Sequence, residues 1–428
     1  MLLGNMVKKE NKAKGKLMQL TSKKKPGYNL PSFESSEEII TLLKASEDNS
    51  LITLLVTEIF KEAKEKRASD VHFEPKRDGS IMIRFRIDGL LHEHLEVPKA
   101  VVPPLITKIK GMSGLNAAER KLPQDGRLSI LDLDVRINTI PTFNGEKCEA
   151  RILNSHLKTI SEVSFIQYYQ SQLEAILKNK QGLIIVTGPT GSGKSTTLHS
   201  FLDHLNNGQK SLVSLEEPVE AIVEGVSQIN IDHKFGMSYA VALRSVLRQD
   251  PDIIMIGEIR DEETASIAAN AAITGHLVLS TLHNNDVSSA ITRLLGLGVD
   301  KQTILSGLKS VVSQRLVRKL CPHCKVPVVK NLFEYAGDET EYHIFEASKE
   351  GCSHCNHTGY YDRIAILEIL QITPAFETFL MEADRTAGEI SEFIKSNGFY
   401  RMKTFGFVAV TKGLTSLEEL ETLPDVVQ

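Results

Sequence analysis

The chain has 428 residues, 41% of them apolar, and a formal net charge of −4. That length corresponds to about two to four domains with sizeable cores, and no apolar run approaches the ~18 residues that a membrane-spanning helix needs. The near-neutral balance lacks the global basic footprint of a nucleic-acid binder, and the N-terminus has no apolar segment long enough for a signal peptide. The expectation is therefore a soluble, cytoplasmic protein whose membrane contact is peripheral or made through a partner.

Residues 1–36 read as a flexible tail, basic from Lys8 to Lys25 and without hydrophobic pattern. A smaller α+β domain is expected over 37–155. From Ser35 to Ala68, charged and apolar residues alternate at helical spacing, with Leu51, Leu54, Leu55, Ile59 and Ala63 on one face. ASDVHFE (68–74) then turns to a period of two, and IMIRFRID (81–88) alternates strictly. Ile81, Ile83, Phe85 and Ile87 fall on one face of that strand, Arg84 and Arg86 on the other. Charged residues are ordinary on an exposed face. Two neighbouring arginines still repel each other, and a shared phosphate would suit their guanidinium forks. Further strands are expected near Leu128–Ile140 and Cys148–Leu153, with the turn-rich PTFNGEK between them.

A polar linker over 156–170 leads to a second domain, 171–428, where apolar strands alternate with helical segments as in a parallel α/β sheet. GLIIVTGPTGSGKSTTL (182–198) opens with a buried strand. Its glycine-rich turn fits the P-loop pattern from Gly188 to Ser195. Gly188, Pro189, Thr190, Gly191, Ser192, Gly193, Lys194, Ser195 and Thr196 are the expected nucleotide-binding residues. Backbone N–H groups would approach the phosphates, Lys194 would neutralise charge on the β and γ phosphates, and Ser195 would ligate Mg²⁺. The positive end of the following helix points to the same place.

Three carboxylate or imidazole clusters follow, each at a predicted strand end, where ligands sit in doubly wound sheets. VSLEEPVE (213–220) presents Glu216 and Glu217 before Pro218. Either carboxylate there would orient Mg²⁺ or water, although such a cluster on its own is more often a solvated turn. RQDPDIIMIGEIRDEET (248–264) carries Glu258 just beyond an apolar strand, the leading candidate to polarise water against the γ phosphate, with Arg260 two residues on. TGHLVLSTLHNND (274–286) brackets a strand with His276 and His283, read as polar groups near the phosphates.

Four of the five cysteines form two C-x-x-C pairs, CPHC (Cys321, Cys324) and CSHC (Cys352, Cys355). In a cytoplasmic chain these point to metal or redox chemistry rather than disulfides. Two facing pairs fit a structural four-thiolate zinc site, with His323 and His354 as non-ligands and the element spanning 318–362. Cys148, isolated in a strand-like stretch, reads as a buried small apolar residue. A helical C-terminal part is expected over 363–428.

In order, GPTGSGKST, LEEPVE, RQDPDIIMIGEIRD and GHLVLSTLH resemble the Walker A, aspartate, Walker B and histidine boxes of the type II secretion and type IV pilus assembly ATPases. The resemblance covers roughly residues 50–420. It implies a RecA-like P-loop domain preceded by a smaller PAS-like α+β domain, working as a homo-hexameric ATP-hydrolysing motor. Such a motor acts on an inner-membrane platform protein at the cytoplasmic face, with no direct nucleic-acid contact expected. It also implies catalytic roles for Glu258, Glu216, Lys194 and His283, and phosphate contacts from Arg84 and Arg86. Arg127, Arg136 and Arg151 are secondary candidates for those contacts. The aspartate box usually reads E-D-P, so Glu217 departs from the pattern. The cysteine pairs favour assembly members over retraction members, which lack them. Only the short polar tail precedes the first helix, so recruitment through the large extra N-terminal domain of many relatives is not expected. A nucleic-acid translocase with the same core, predicting stimulation by DNA, and a non-hydrolysing nucleotide switch are the rival readings.

Overall fold

The computed structural model describes residues 35–45, 50–153, 157–332, 340–399 and 401–423. The expectation of a flexible tail lies outside these, save for its last two residues. The chain divides into two compact units, Met1–Ser155 and His156–Gln428.

In the first unit, the amphipathic stretch after Ser35 is realised as two helices, α1 (Ser36–Ala45) and α2 (Ser50–Glu65). Strands β1 (Asp70–Pro75), β2 (Ile81–Ile87) and β3 (Leu90–Val97) follow, then α3 (Val102–Met112), β4 (Gln124–Ile130), β5 (Leu133–Thr142) and β6 (Gly145–Leu153). Prolines fall in the first turn of α3, where their missing N–H has no intrahelical partner to lose. The six strands form one antiparallel sheet in the order β3-β2-β1-β6-β5-β4. Its apolar face (Val71, Phe73, Ile81, Ile83, Phe85, Ile137, Ala150) packs with Leu55, Ile59 and Phe60 of α2. Cys148 is fully buried in this core, and burial pushes its thiol pKa up.

The second unit opens with α4 (Ile160–Val163) and α5 (Gln167–Leu177), followed by β7 (Gly182–Thr187), α6 (Lys194–Leu205), β8 (Leu212–Glu216), β9 (Ser227–Asn230), α7 (Tyr239–Val246), β10 (Ile253–Ile256), α8 (Glu262–Ile273) and β11 (Leu277–Leu282). Next come α9 (Val287–Leu295), α10 (Lys301–Gly307), β12 (Leu308–Leu320), the hairpin β13 (Val326–Asn331) and β14 (Glu341–Glu346), β15 (Tyr360–Gln371), and helices α11 (Pro374–Glu382), α12 (Ala387–Ser396), α13 (Met402–Thr411) and α14 (Leu417–Glu421). The main sheet runs β15-β12-β7-β11-β10-β8-β9 and is parallel throughout, except that β15 joins β12 antiparallel. Every residue of β7, β8, β10 and β11 is buried. That is what a sheet covered on both faces requires, and it explains why these strands are apolar on both faces rather than alternating. One face is covered by Leu173, Phe201 and Phe405, the other by Leu243, Ala268, Ile291 and Phe376.

Two stretches differ from the sequence expectation. Residues 157–170, read as part of a polar linker, hold α4 and the start of α5. Thr159 and Glu162 close a capping box there, and Ile160, Val163 and Ile166 are buried in the core of the second unit. The C-terminal part read as helical begins with β15, whose mostly apolar stretch Ile364–Leu370, broken by Glu368, lies against β12.

Phe73 is completely enclosed between sheet and helices in the first unit. Phe73→Ala is expected to cost about 3–5 kcal/mol of unfolding free energy through lost burial and a residual cavity. Denaturant unfolding of wild type and variant, followed by a probe in the first unit, measures it.

Candidate active site

Parallel pairing aligns the carboxyl ends of the central strands along one edge. Thr187 at the end of β7 lies level with Leu282 at the end of β11, and on its other side with Ser313 of β12. Ile256 of β10 is level with Ser280 of β11 and Leu215 of β8. The P-loop, Glu216, Glu258 and His283 therefore emerge at the same edge, although up to about a hundred positions separate them in sequence.

Three loop glycines hold positive φ: Gly188 (151°), Gly191 (79°) and Gly193 (86°). A Cβ at Gly188 would fall 2.5 Å from the Gln314 carbonyl oxygen, and one at Gly193 would fall 2.8 Å from Gln314 Nε2. These two positions thus demand glycine both by conformation and by the closeness of β12. Gly193 caps α6 without any side-chain bond, so the first N–H groups of the helix have no capping side chain. The Lys194 ammonium donates to the carbonyls of Gly188 (2.9 Å) and Pro189 (3.1 Å), inside the curl of the loop. Burial pulls its pKa down, opposed by Glu258 and Glu220 and aided by Arg315. Ser192 Oγ is buried with no hydrogen-bond partner among the described residues. Ser195 and Thr196 are exposed in the first helical turn. Open helix N–H groups, an enclosed ammonium, an orphaned hydroxyl and an exposed hydroxyl oxygen form a donor set suited to a polyphosphate and its Mg²⁺.

Glu258 follows β10 by two residues. Its Oε1 pairs with Arg260 Nη2 at 2.5 Å. Its Oε2 is buried and makes no hydrogen bond among the described residues, with His283 Nε2 3.5 Å away. This oxygen is the free acceptor at the edge, the requirement for holding a water. Burial and the nearby Lys194 ammonium hold the His283 imidazole below its ordinary pKa, despite Glu258. His276 is elsewhere. It lies at the amino end of β11, where Nδ1 stands 3.0 Å from the Ala271 carbonyl oxygen and its own carbonyl accepts from Gly182 N–H. A six-residue strand is about 20 Å long, so the two histidines cannot both attend the phosphates, and the expectation for His276 is corrected.

Glu216 is buried with both oxygens engaged. Oε2 lies 2.8 Å from His199 Nε2, while Oε1 accepts from Ser214 Oγ (2.7 Å) and Gln228 Nε2 (2.9 Å). Burial alone would raise its pKa, but these bonds, led by His199, hold it below the ordinary carboxylate range. The carboxylate thus ties α6 to the ends of β8 and β9. Glu217, half-exposed, is the box carboxylate that faces outward, 3.5 Å from His233 Nε2. The sequence reading missed His199, Gln228 and Gln314. The one available signal was the polar Ser-Gln-Arg insert in the otherwise apolar VVSQRLV.

Arg84 and Arg86 lie on the polar face of the first unit's sheet, each beside a carboxylate of β1. Arg84 Nη2 pairs with Glu74 at 2.5 Å, and Arg86 Nε lies 3.6 Å from Asp70. Arg151 Nε also reaches Asp70, at 2.9 Å, and Arg136 pairs with Asp125. Arg127 is exposed on β4, opposite Arg136.

The four paired cysteines converge. Their sulfurs all lie within 4.8 Å of one another. Sγ of Cys321 and Cys352 are 3.7 Å apart, Cys324 and Cys355 3.8 Å, and Cys352 and Cys355 3.8 Å. A tetrahedron with Zn–S bonds near 2.3 Å has edges of about 3.8 Å. Backbone N–H groups of Cys352 and Gly359 donate to Cys355 Sγ, which suits a thiolate. His323 and His354 pack on each other, ring centres 4.3 Å apart, outside the cluster.

Residues 44–422 match the family model of the type II/IV secretion system protein. The chain is 40% identical over 389 residues to the type IV pilus assembly ATPase PilB of Pseudomonas aeruginosa, covering 88% of this chain and 68% of that one. It is 37% identical over 393 residues to the type II secretion system ATPase E of Vibrio cholerae, covering 88% and 76%. Among solved structures, the pilus retraction motor PilT with bound ADP is similar with a TM-score of 0.60 and 25% identity, covering 86% of this chain and 96% of that one. The chain belongs to the type II/IV secretion system protein family and is an ATPase.

Two outcomes are expected. Because the folded pKa of Glu216 is depressed, its network contributes stability above the ordinary carboxylate pKa of about 4.3, and this is lost as pH falls through the folded value. Glu216→Gln should therefore unfold about 1–3 kcal/mol more easily at pH 7, with the difference shrinking toward pH 3 in melting curves across pH. Elemental analysis should find one zinc per chain, lost in Cys321→Ser; full retention in that variant would refute the four-sulfur site.

Proposed function

We propose that this chain is the ATP-hydrolysing motor of a pilus, pseudopilus or type II secretion assembly machine. It would act as a homo-hexamer against an inner-membrane platform protein at the cytoplasmic face, touching the membrane through its partners. The observation that carries this reading is the free, buried Glu258 oxygen on the same sheet edge as the P-loop, in a chain 40% identical to a pilus assembly ATPase. Four-cysteine clustering supports the assembly branch.

The loop amides and Lys194 hold the phosphates, and Ser195 would hold Mg²⁺. The metal, when bound, draws charge from the β and γ oxygens. Glu258 Oε2 takes up a water and orients it along the line of the γ phosphorus. The water oxygen forms the new P–O bond as its proton passes to Glu258 Oε2, the bond to the β-bridging oxygen breaks, and ADP leaves with that electron pair. Arg260 fixes the Glu258 rotamer by holding Oε1. His283, kept neutral by its depressed pKa, is free to hydrogen-bond the γ phosphate or the water. Glu216 supports the site through α6. Arg84 and Arg86 are proposed as further phosphate-contacting cations of the assembled motor, where phosphate oxygens would replace Glu74 and Asp70 as their partners. Zinc in the four-thiolate site is structural, because four sulfurs leave no open position.

The test is steady-state ATPase activity of the purified oligomer with and without DNA. Lys194→Ala should abolish turnover. Glu258→Gln should keep MgATP affinity within a few-fold while kcat falls about 100-fold or more, the usual contribution of a positioned base. Unchanged kcat would remove Glu258 from catalysis. Strong stimulation by duplex or single-stranded DNA would replace the assembly motor with a nucleic-acid translocase.

A further inference from the structure

Strand β12 reaches the P-loop with the side chain of Gln314. Gln314 is buried, 2% exposed, and both ends of its carboxamide are used. Nε2 donates to the Ser192 carbonyl at 2.7 Å, and Oε1 accepts from Thr197 Oγ1 at 2.8 Å. The Ser192 carbonyl can only accept, so it fixes which end of the amide faces the loop. The same residue closes on the loop from two further directions. Its carbonyl oxygen lies 2.5 Å from where a Cβ at Gly188 would be, and its Nε2 lies 2.8 Å from where a Cβ at Gly193 would be. Gln314 therefore meets the first glycine, the last glycine, Ser192 between them and the first turn of α6.

We propose that Gln314 is a positioning residue for nucleotide binding. It holds the phosphate loop in its anion-accepting curl by clamping the Ser192 carbonyl outward to β12, which leaves the loop's N–H groups facing the phosphates. This inference rests on the reading of the site as an MgATP site. Ser192 lies one residue before the cap of α6, so a peptide flip there would turn a carbonyl dipole toward the phosphates. A carbonyl oxygen in that position repels the anion that the loop exists to hold. Thr197 completes the clamp by holding Oε1, so that the amide cannot rotate and present its oxygen to the Ser192 carbonyl. Nucleotide contacts themselves order the loop once bound. The clamp's effect accordingly falls on affinity rather than on the chemical step.

The experiment compares wild type, Gln314→Leu, Thr197→Val and the double variant. Equilibrium MgATP and MgADP binding is measured by calorimetry, together with KM, kcat and melting temperature. Gln314→Leu should raise Kd and KM about tenfold, with kcat within about threefold of wild type, as expected for two lost hydrogen bonds. Thr197→Val should raise Kd about threefold and add nothing in the Gln314→Leu background, because both act through one amide. Gln314→Asn, one methylene short, should not restore affinity. A merely structural role would lower melting temperature and kcat while leaving Kd alone. An unchanged Kd in folded Gln314→Leu overturns the proposal. If that variant does not fold, an unchanged Kd in Thr197→Val overturns it instead. Wild type that neither binds nor hydrolyses MgATP would instead overturn the nucleotide-site reading itself.

Discussion

Direction is the constraint on which the second unit depends. Every strand from β12 across to β9 runs the same way, so all their carboxyl ends open on one edge, and buried backbone pairing fixes the level of each. A one-residue slip of β10 would turn the inward and outward sets of that strand over. It would also move Glu258 by about 3.3 Å along the edge, more than a hydrogen bond tolerates. Apolar burial supplies the force that holds this register. Ile253, Ile254, Met255 and Ile256 are all buried, so each face of the strand resists a slip.

The polar groups along that edge divide by whether their needs are met. Glu216 has three donors and a depressed pKa, which makes it an anchor. Gln314 is likewise satisfied at both ends. Ser192 Oγ and Glu258 Oε2 are buried without a hydrogen bond among the described residues. Leaving a buried polar atom unmet costs roughly 1–3 kcal/mol, so these two are where a ligand or a water gains most. Satisfied groups set the geometry, and the unsatisfied ones mark the chemistry.

What the sequence disclosed follows from how local each feature is. The P-loop is contiguous, and its glycines answer to backbone conformation, so it was legible from Gly188 to Ser195. The place of Glu258 at a strand end was legible because an apolar strand stops just before it, and the convergence of the cysteine pairs because their spacing is written in the chain. His276 was misread because proximity along a strand was taken for proximity to the site, although the two ends of β11 face opposite edges. The capped turn at Thr159 was missed because its apolar residues, Ile160, Val163 and Ile166, are too few to show a period. Gln314 was out of reach for a different reason. Its importance depends on β12 pairing with β7, a register between residues more than a hundred positions apart.

That pairing also joins two parts of the chain that seemed separate in sequence. Strand β12 carries Gln314 against the phosphate loop and continues to Leu320, and Cys321 follows at once. The first residue of the cysteine cluster is therefore roughly 23 Å along the chain from Gln314. Between them Arg318 is held twice by Glu419 of α14 and stacks over Tyr360 at the start of β15. Tyr360 in turn bonds Ser416, the cap of α14. The far half of β12 is thus fixed by an ion pair, a ring and a helix cap as well as by the cysteine cluster beyond it. A phosphate loop built on glycines is soft by composition. The strand beside it holds it through Gln314, and that strand is itself paired with β7 and β15 and pinned near its far end by Glu419 and Tyr360.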